Sequence, residues 1–148
     1  MEKDTARSAR TVLIDTNILV SGLVFAKGNE HRILKIAKDK QITLVLPEFV
    51  LEETRAVLCL RFAGREMLLD AFLKRVEYVV VSMEQIEHDI PRHRNAVRDT
   101  LDIAVLTAVI AAKPNFAVTG DKTLRADMKR FRGVINETMI CSSSEFLK

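Results

Sequence analysis

Asp15 and Asp121 lie far apart in the chain, yet each closely follows a short apolar run, at residues 11–14 and 116–119. If both runs are parallel strands of one sheet, the two carboxylates leave at the same rim, where open α/β sheets bind ligands. Either aspartate alone also has an ordinary use, turning a strand into a helix or capping that helix. Glu53 adds a third acid. In a helix from Pro47 to Arg61, residues Phe49, Val50, Val57 and Leu60 stand at i−4, i−3, i+4 and i+7 from Glu53, which places it in an apolar stripe. A carboxylate there costs on the order of several kcal/mol unless it pairs with a basic group or coordinates a cation. Glu52, by contrast, shares the solvated side with Glu48, Arg55 and Ala56. Asp99 and Asp102 open a further helix. Asp99 suits an N-cap with an acid three residues on, whereas Asp102 begins a helix that is otherwise almost wholly apolar and packs beneath the rim.

Taken together, Asp15, Glu53, Asp102 and Asp121 predict an acidic cluster. Like charges about 4 Å apart repel by about 4 kcal/mol at an effective dielectric of about 20, so such a cluster calls for a cation. Donors that are all oxygen select a hard ion, Mg²⁺ or Mn²⁺. An ion held this way polarises a phosphoryl oxygen and activates water, which is the chemistry of phosphodiester hydrolysis. Basic residues that could hold a polyanion flank the acids: Lys122, Arg125, Lys129, Arg130 and Arg132 on one side, Arg92, Arg94 and Arg98 on the other. The same residues could equally solvate a surface helix. With 5% aromatic residues and no Trp, base stacking is a minor resource. The expected mode is recognition of backbone shape and a short single-stranded motif.

The elements that must position these residues follow from the hydrophobic pattern. The 148 residues, 48% hydrophobic and 29% charged, predict one domain able to fold without staples. Cys59 and Cys141 are too few for a disulfide framework and have no zinc-site spacing with the histidines. A net charge of +3 and a pI near 9.0 permit an anionic partner without requiring one. The apolar stretch 103–112 is too short to span a bilayer, and residues 1–10 read as a lead-in that need not be ordered, without the character of a secretory signal. The expected location is therefore the cytoplasm. Strands are expected at 11–14, 42–46, 78–81 and 116–119, with a further edge strand at 134–135. Helices are expected from Asn17, as cap, to Val24, and over 30–38, 47–61 (Pro47 in its first turn), 65–76 beyond a break at Gly64, 100–112, and 122–132 up to Gly133. Residues 82–97 read as a polar connection. The alternation implies an α/β fold over 11–148, a central parallel sheet of four to five strands with helices on both faces.

These residues resemble the PIN-domain ribonucleases, in particular those that are toxins of toxin–antitoxin pairs. The resemblance runs from Val12 to Leu147. It rests on Val12-Leu13-Ile14-Asp15-Thr16-Asn17 with Ser21, on residues 47–58 holding Glu53, and on Arg98-Asp99-Thr100-Leu101-Asp102 before an Ala-rich helix. It rests also on Val118-Thr119-Gly120-Asp121-Lys122-Thr123-Leu124 and the final Ser144-Glu145-Phe146-Leu147. It implies a PIN-like fold and an Mg²⁺- or Mn²⁺-dependent endoribonuclease with Asp15, Glu53, Asp102 and Asp121 as catalytic metal ligands. Asp99 would be an additional or alternative ligand, and Asn17, Ser21 and Thr119 polar residues that orient the site. The substrate would be RNA, its phosphates met by Arg98, Lys122, Arg125 and Lys129. The expected partners are a cognate antitoxin and a second copy in a homodimer. Family members often carry adjacent acids before the buried helix. Here Thr100-Leu101 separates Asp99 from Asp102, which leaves the two unranked.

Other chemistries fit less well. Gly120-Asp121-Lys122-Thr123 lacks the earlier glycine of a P-loop, and no G-x-S-x-G elbow is present. A phosphoacceptor domain would want an aspartate after the third strand, where Ser82-Met83 stands. The remaining alternative is a catalytically silent PIN-like module that binds RNA or protein.

Overall fold

The structure is a computed structural model and describes residues 10–84, 100–130 and 137–148, with residues 100–102 described by their backbone only. Five short strands, β1 (Arg10–Ile14), β2 (Ile42–Pro47), β3 (Tyr78–Val81), β4 (Phe116–Val118) and β5 (Met139–Cys141), form one sheet in the order β3-β2-β1-β4-β5. Every neighbouring pair is parallel, with Leu13 opposite Val45 and Ala117 and Val118 opposite Cys141. Helices α1 (Thr16–Val24) and α2 (Asn29–Lys38) join β1 to β2. The chain between β2 and β3 holds α3 (Glu48–Arg61) and α4 (Met67–Leu73), and α5 (Thr100–Ala112) precedes β4. Beyond β4 come α6 (Lys122–Lys129), β5 and the short α7 (Ser143–Phe146).

Alternation along β1 divides the core in two. Val12 and Ile14 face α1 to α4, with Ile18, Leu19, Ile33, Leu34, Val50, Leu58, Leu69 and Phe72. Leu13 faces the other way, towards Ile103, Val105, Leu106 and Val109 of α5 and Leu124 and Met128 of α6. Both faces of the sheet are therefore covered, as a parallel sheet requires. The nearly uniform apolarity of α5 has its physical cause here, because a helix closed in by sheet and neighbours has little solvated side. Its one polar interior residue, Thr107, donates its hydroxyl to the Ile103 carbonyl at 2.7 Å and so costs little to bury.

Several expected boundaries move. The cap of α1 is Asp15, whose carboxylate accepts from the Ile18 amide at 3.1 Å, while the expected cap Asn17 lies inside the helix. Pro47 ends β2 and caps α3 instead of lying in its first turn. The helix expected over 65–76 is limited to α4, and Gly64 before it takes a positive φ of 89° that other residues rarely adopt. The fifth strand is Met139–Cys141. The expected edge strand at 134–135, most of the connection over 82–97, the end of the basic helix at 131–132 and the lead-in lie outside the described residues.

The buried stripe of α3 is also displaced. It consists of Val50, Thr54 and Leu58, while Glu53 is exposed and Leu60 is 82% exposed. Thr54 can take a core position because its hydroxyl bonds the Val50 carbonyl at 2.7 Å. The expected burial of Glu53 is thus incorrect.

Candidate active site

The strand order reverses beside β1: β2 and β3 lie to one side of it, β4 and β5 to the other. The carboxyl ends of β1 and β4 flank that switch point, where helices diverge to opposite faces and leave a crevice. Asp15 directly follows β1, and Thr119-Gly120-Asp121 directly follows β4.

Thr119 joins the two acids. Its side chain is buried, 2% exposed, and its hydroxyl donates to Asp15 Oδ2 while accepting from the Asp121 amide at 3.1 Å. The other oxygen of Asp15 caps α1. Asp121 caps α6 in the same manner, accepting from the Leu124 amide at 3.0 Å. Each aspartate therefore also has the capping role that its position after a strand permits. Glu53 reaches the same region from α3 and accepts from the Thr16 hydroxyl at 2.7 Å. Thr16, the first residue of α1, was not singled out from the sequence. The available signal was its place between Asp15 and Asn17, since a hydroxyl in the first turn of a helix can reach outward to a neighbouring element.

The electrostatics of Asp15 reflect this crowding. Burial pushes its carboxyl above the ordinary range; hydrogen bonds from Thr119 and the Ile18 amide draw it back, and the charges of Asp121 and Glu53 raise it again. Both neighbouring acids thus act on Asp15, the one of the three that is substantially withdrawn from water. Their donor set is entirely oxygen, which fits a hard divalent cation in kind. Among the described residues, however, no group of three or more His, Cys, Asp or Glu stands close enough to hold a metal ion. Asp102 lies in the first turn of α5, its side chain undescribed, and Asp99 and Arg98 lie outside the described residues. Asn17 is exposed and Ser21 half-buried; neither makes a side-chain hydrogen bond to Asp15, Glu53 or Asp121.

The basic residues of α6 divide by environment. Lys122 and Lys129 are exposed beside the rim, while Arg125 is half-buried and donates to the Thr119 carbonyl at 2.7 Å. Arg130 pairs with the fully buried Asp127 carboxylate at 2.9 Å, a structural use for a residue considered above as a polyanion contact. Cys141, behind Thr119 on β5, is buried, and desolvation with the charge of Glu145 pushes its thiol up to about 11, so it offers no thiolate nucleophile. Two apolar pockets contain none of these acids: one between α1, α2 and α4, lined by Leu23, Leu34, Leu68, Ala71 and Phe72, and one beside α4 with Gly64, Arg65 and Met67.

Comparison with known proteins matches residues 11–123 to a family model described as PIN domain. No curated protein matches the sequence significantly. Among solved structures, the chain is similar in fold to the VapBC2 structure from Rickettsia felis, bound to a DNA fragment from their promoter. The TM-score is 0.62 at 18% identity, over 89% of this chain and 98% of that one.

Proposed function

The chain belongs to the PIN-domain family, and from that premise we propose that it is a metal-dependent endoribonuclease that cleaves RNA phosphodiester bonds as the toxin of a toxin–antitoxin pair. One observation carries the reading: the Asp15 carboxylate and the backbone amide of Asp121, from opposite sides of the switch point, are bonded to one buried hydroxyl, with the Asp121 and Glu53 charges close enough to act on Asp15. Asp15 is raised first by its burial and then by the charges of Asp121 and Glu53; capping alone poorly explains this convergence, because it needs no second carboxylate nearby. The proposed nuclease unit spans residues 11–148.

Asp15 and Asp121 would hold Mg²⁺ or Mn²⁺ with Asp102 or Asp99, and Glu53 would have to move inward to join them, since the three described acids stand too far apart to form a site by themselves. When bound, the ion supplies the positive charge that polarises a phosphoryl oxygen and makes the attacking water more acidic. The chain's own residues do the rest. Thr119 keeps the free lone pairs of Asp15 turned to the crevice by occupying one of its oxygens, and Thr16 does the same for Glu53. Lys122 and Lys129, exposed on α6, bind backbone phosphates and bring the polyanion to a rim that would otherwise repel it. Asn17 and Ser21, on the first turns of α1, are assigned with Thr119 to orientation of the site.

Cleavage of labelled single-stranded RNA with Mg²⁺ or Mn²⁺ tests this. Asp15→Asn and Glu53→Gln are each expected to lower the rate at least about 100-fold, more than loss of an outer contact to a metal ligand costs. Unchanged cleavage in both variants sinks the metal-site reading. Tight RNA binding with no cleavage by the parent protein would favour the silent binding module, for which an acidic rim has no evident use.

Partners belong to the same proposal. The similar Rickettsia felis structure is named for two components, and the pocket between α1, α2 and α4, with Lys38 and Arg75 among its lining residues, suits an acidic amphipathic segment of an antitoxin. Failure of the protein to co-purify with the product of an adjacent short reading frame would remove that support. A homodimer and a cytoplasmic location complete the proposal; among the described residues no helix is long and apolar enough to cross a membrane.

A further inference from the structure

Arg125 holds the loop between β4 and α6 at two points. Its guanidinium Nη1 donates to the Thr119 carbonyl at 2.7 Å, and its own amide donates to the Asp121 carbonyl at 3.0 Å. The Thr119 carbonyl needs such a donor because β4 has ended. The last strand pairing is Val118 with Cys141, and the Thr119 amide makes the final link to the Cys141 carbonyl at 3.1 Å. Beyond that point, among the described residues, Arg125 is the side chain that bonds the peptide plane following Thr119.

The orientation of that plane matters because of what Thr119 does with its side chain. A threonine hydroxyl has one proton and two lone pairs. Here the proton goes to Asp15 and a lone pair takes the Asp121 amide, so a small backbone rotation at Thr119 disturbs both acids together. Arg125 is half-buried, unlike the exposed Lys122 and Lys129 on the same helix. Its planar fork presents N–H groups in a fixed geometry, which suits it to hold a carbonyl in place.

We infer that Arg125 is a positioning residue of the acidic site: it clamps the Thr119 carbonyl and thereby sets the hydroxyl that aligns Asp15 with Asp121. This differs from the phosphate-contact role that its place on a basic helix invites, and it rests on the nuclease reading given above. Misplacement of a reacting group by about 1 Å can cost about 100-fold in rate, so loss of the clamp should appear in kcat.

The test uses the full chain with Arg125→Met, which keeps length and removes every donor, and Arg125→Lys, which keeps charge and a donor. For cleavage of single-stranded RNA with Mn²⁺, Arg125→Met is expected to lower kcat about 10- to 100-fold, leaving KM and the salt dependence of binding unchanged. Arg125→Lys should fall between that variant and the parent, and the Gly120 and Asp121 amides should exchange with solvent faster in Arg125→Met. A raised KM with parental kcat, together with a salt slope reduced by about 1, would assign Arg125 to phosphate and overturn the inference. Parental kcat in both variants overturns it as well. If Arg125→Met does not fold, Arg125→Lys decides alone: lowered kcat at parental KM supports the clamp, and parental kcat overturns it. If the parent cleaves no RNA, the nuclease reading fails independently. Amide exchange then judges the clamp, and unchanged exchange at Gly120 and Asp121 refutes it.

Discussion

Asp15 must carry a negative charge where burial and two neighbouring acids oppose it, and that opposition has a measurable sign. Its folded-state pKa is raised, so in the window between its ordinary value and the elevated one the folded protein binds more protons than the unfolded chain. Stability therefore falls as pH rises through that window and is greatest below it. In chelator, parent and Asp15→Asn unfolding should be compared by urea titration from acid pH to neutrality. The parent is expected to lose stability relative to the variant as pH rises, because asparagine does not titrate and still caps α1. A difference that does not change with pH would show that Asp15 is not held in a strained ionised state. At this scale the residue types were legible: Asp15, Glu53 and Asp121 each follow or face a strand end. The apolar neighbours of Glu53 in α3 do not bury it: its side chain is exposed and bonded to Thr16. A stripe drawn only through apolar residues passed over Thr54, whose hydroxyl is satisfied by its own helix.

The elements meet through close crossings, as α1 does with α2 at Gly22. A Cβ at Gly22 would lie 2.6 Å from Leu34 Cδ1 and 2.9 Å from the Glu30 carbonyl oxygen. The leucine tip can turn away, but the backbone oxygen cannot without moving α2. Gly22→Ala should therefore destabilise the protein by about 1–3 kcal/mol despite alanine's better helix propensity, read as a lower urea midpoint at unchanged slope. A neutral or stabilising result would mean that α2 shifts freely on α1. Long elements with a strong pattern, α3 and α5 above all, were legible from sequence because burial on a sheet leaves a distinct apolar signature. The strand β5 was not: three residues carry too little periodicity, and its partner β4 is equally short. The cap of α1 was assigned to Asn17 because Asx residues are interchangeable by preference, and only the hydrogen bond to Ile18 selects Asp15.

Across the whole molecule the net charge of +3 conceals a division between an acidic crevice and basic flanks. Lys122 and Lys129 provide a test of how that division would serve the proposed RNA substrate. Replacing either with Ala should weaken binding similarly for different RNA sequences and lower the salt slope by about 1, while kcat stays near the parent value. An unchanged slope in both variants would place the RNA path elsewhere on the surface.

The amino-acid sequence alone determined the α/β class, the C-terminal end of α5, the family resemblance and the acids that could do chemistry. All of these depend on local pattern and residue type. What only the tertiary structure decided is which groups meet. It placed Asp15 and Asp121 at a reversal of strand order, joined them through the Thr119 hydroxyl, left Glu53 in solvent beside Thr16 and turned Arg125 inward to a carbonyl. The physical reason is that register and crossing angle are set by long-range packing, and a rotation of one residue about a helix axis, invisible in spacing alone, exchanges a buried carboxylate for an exposed one.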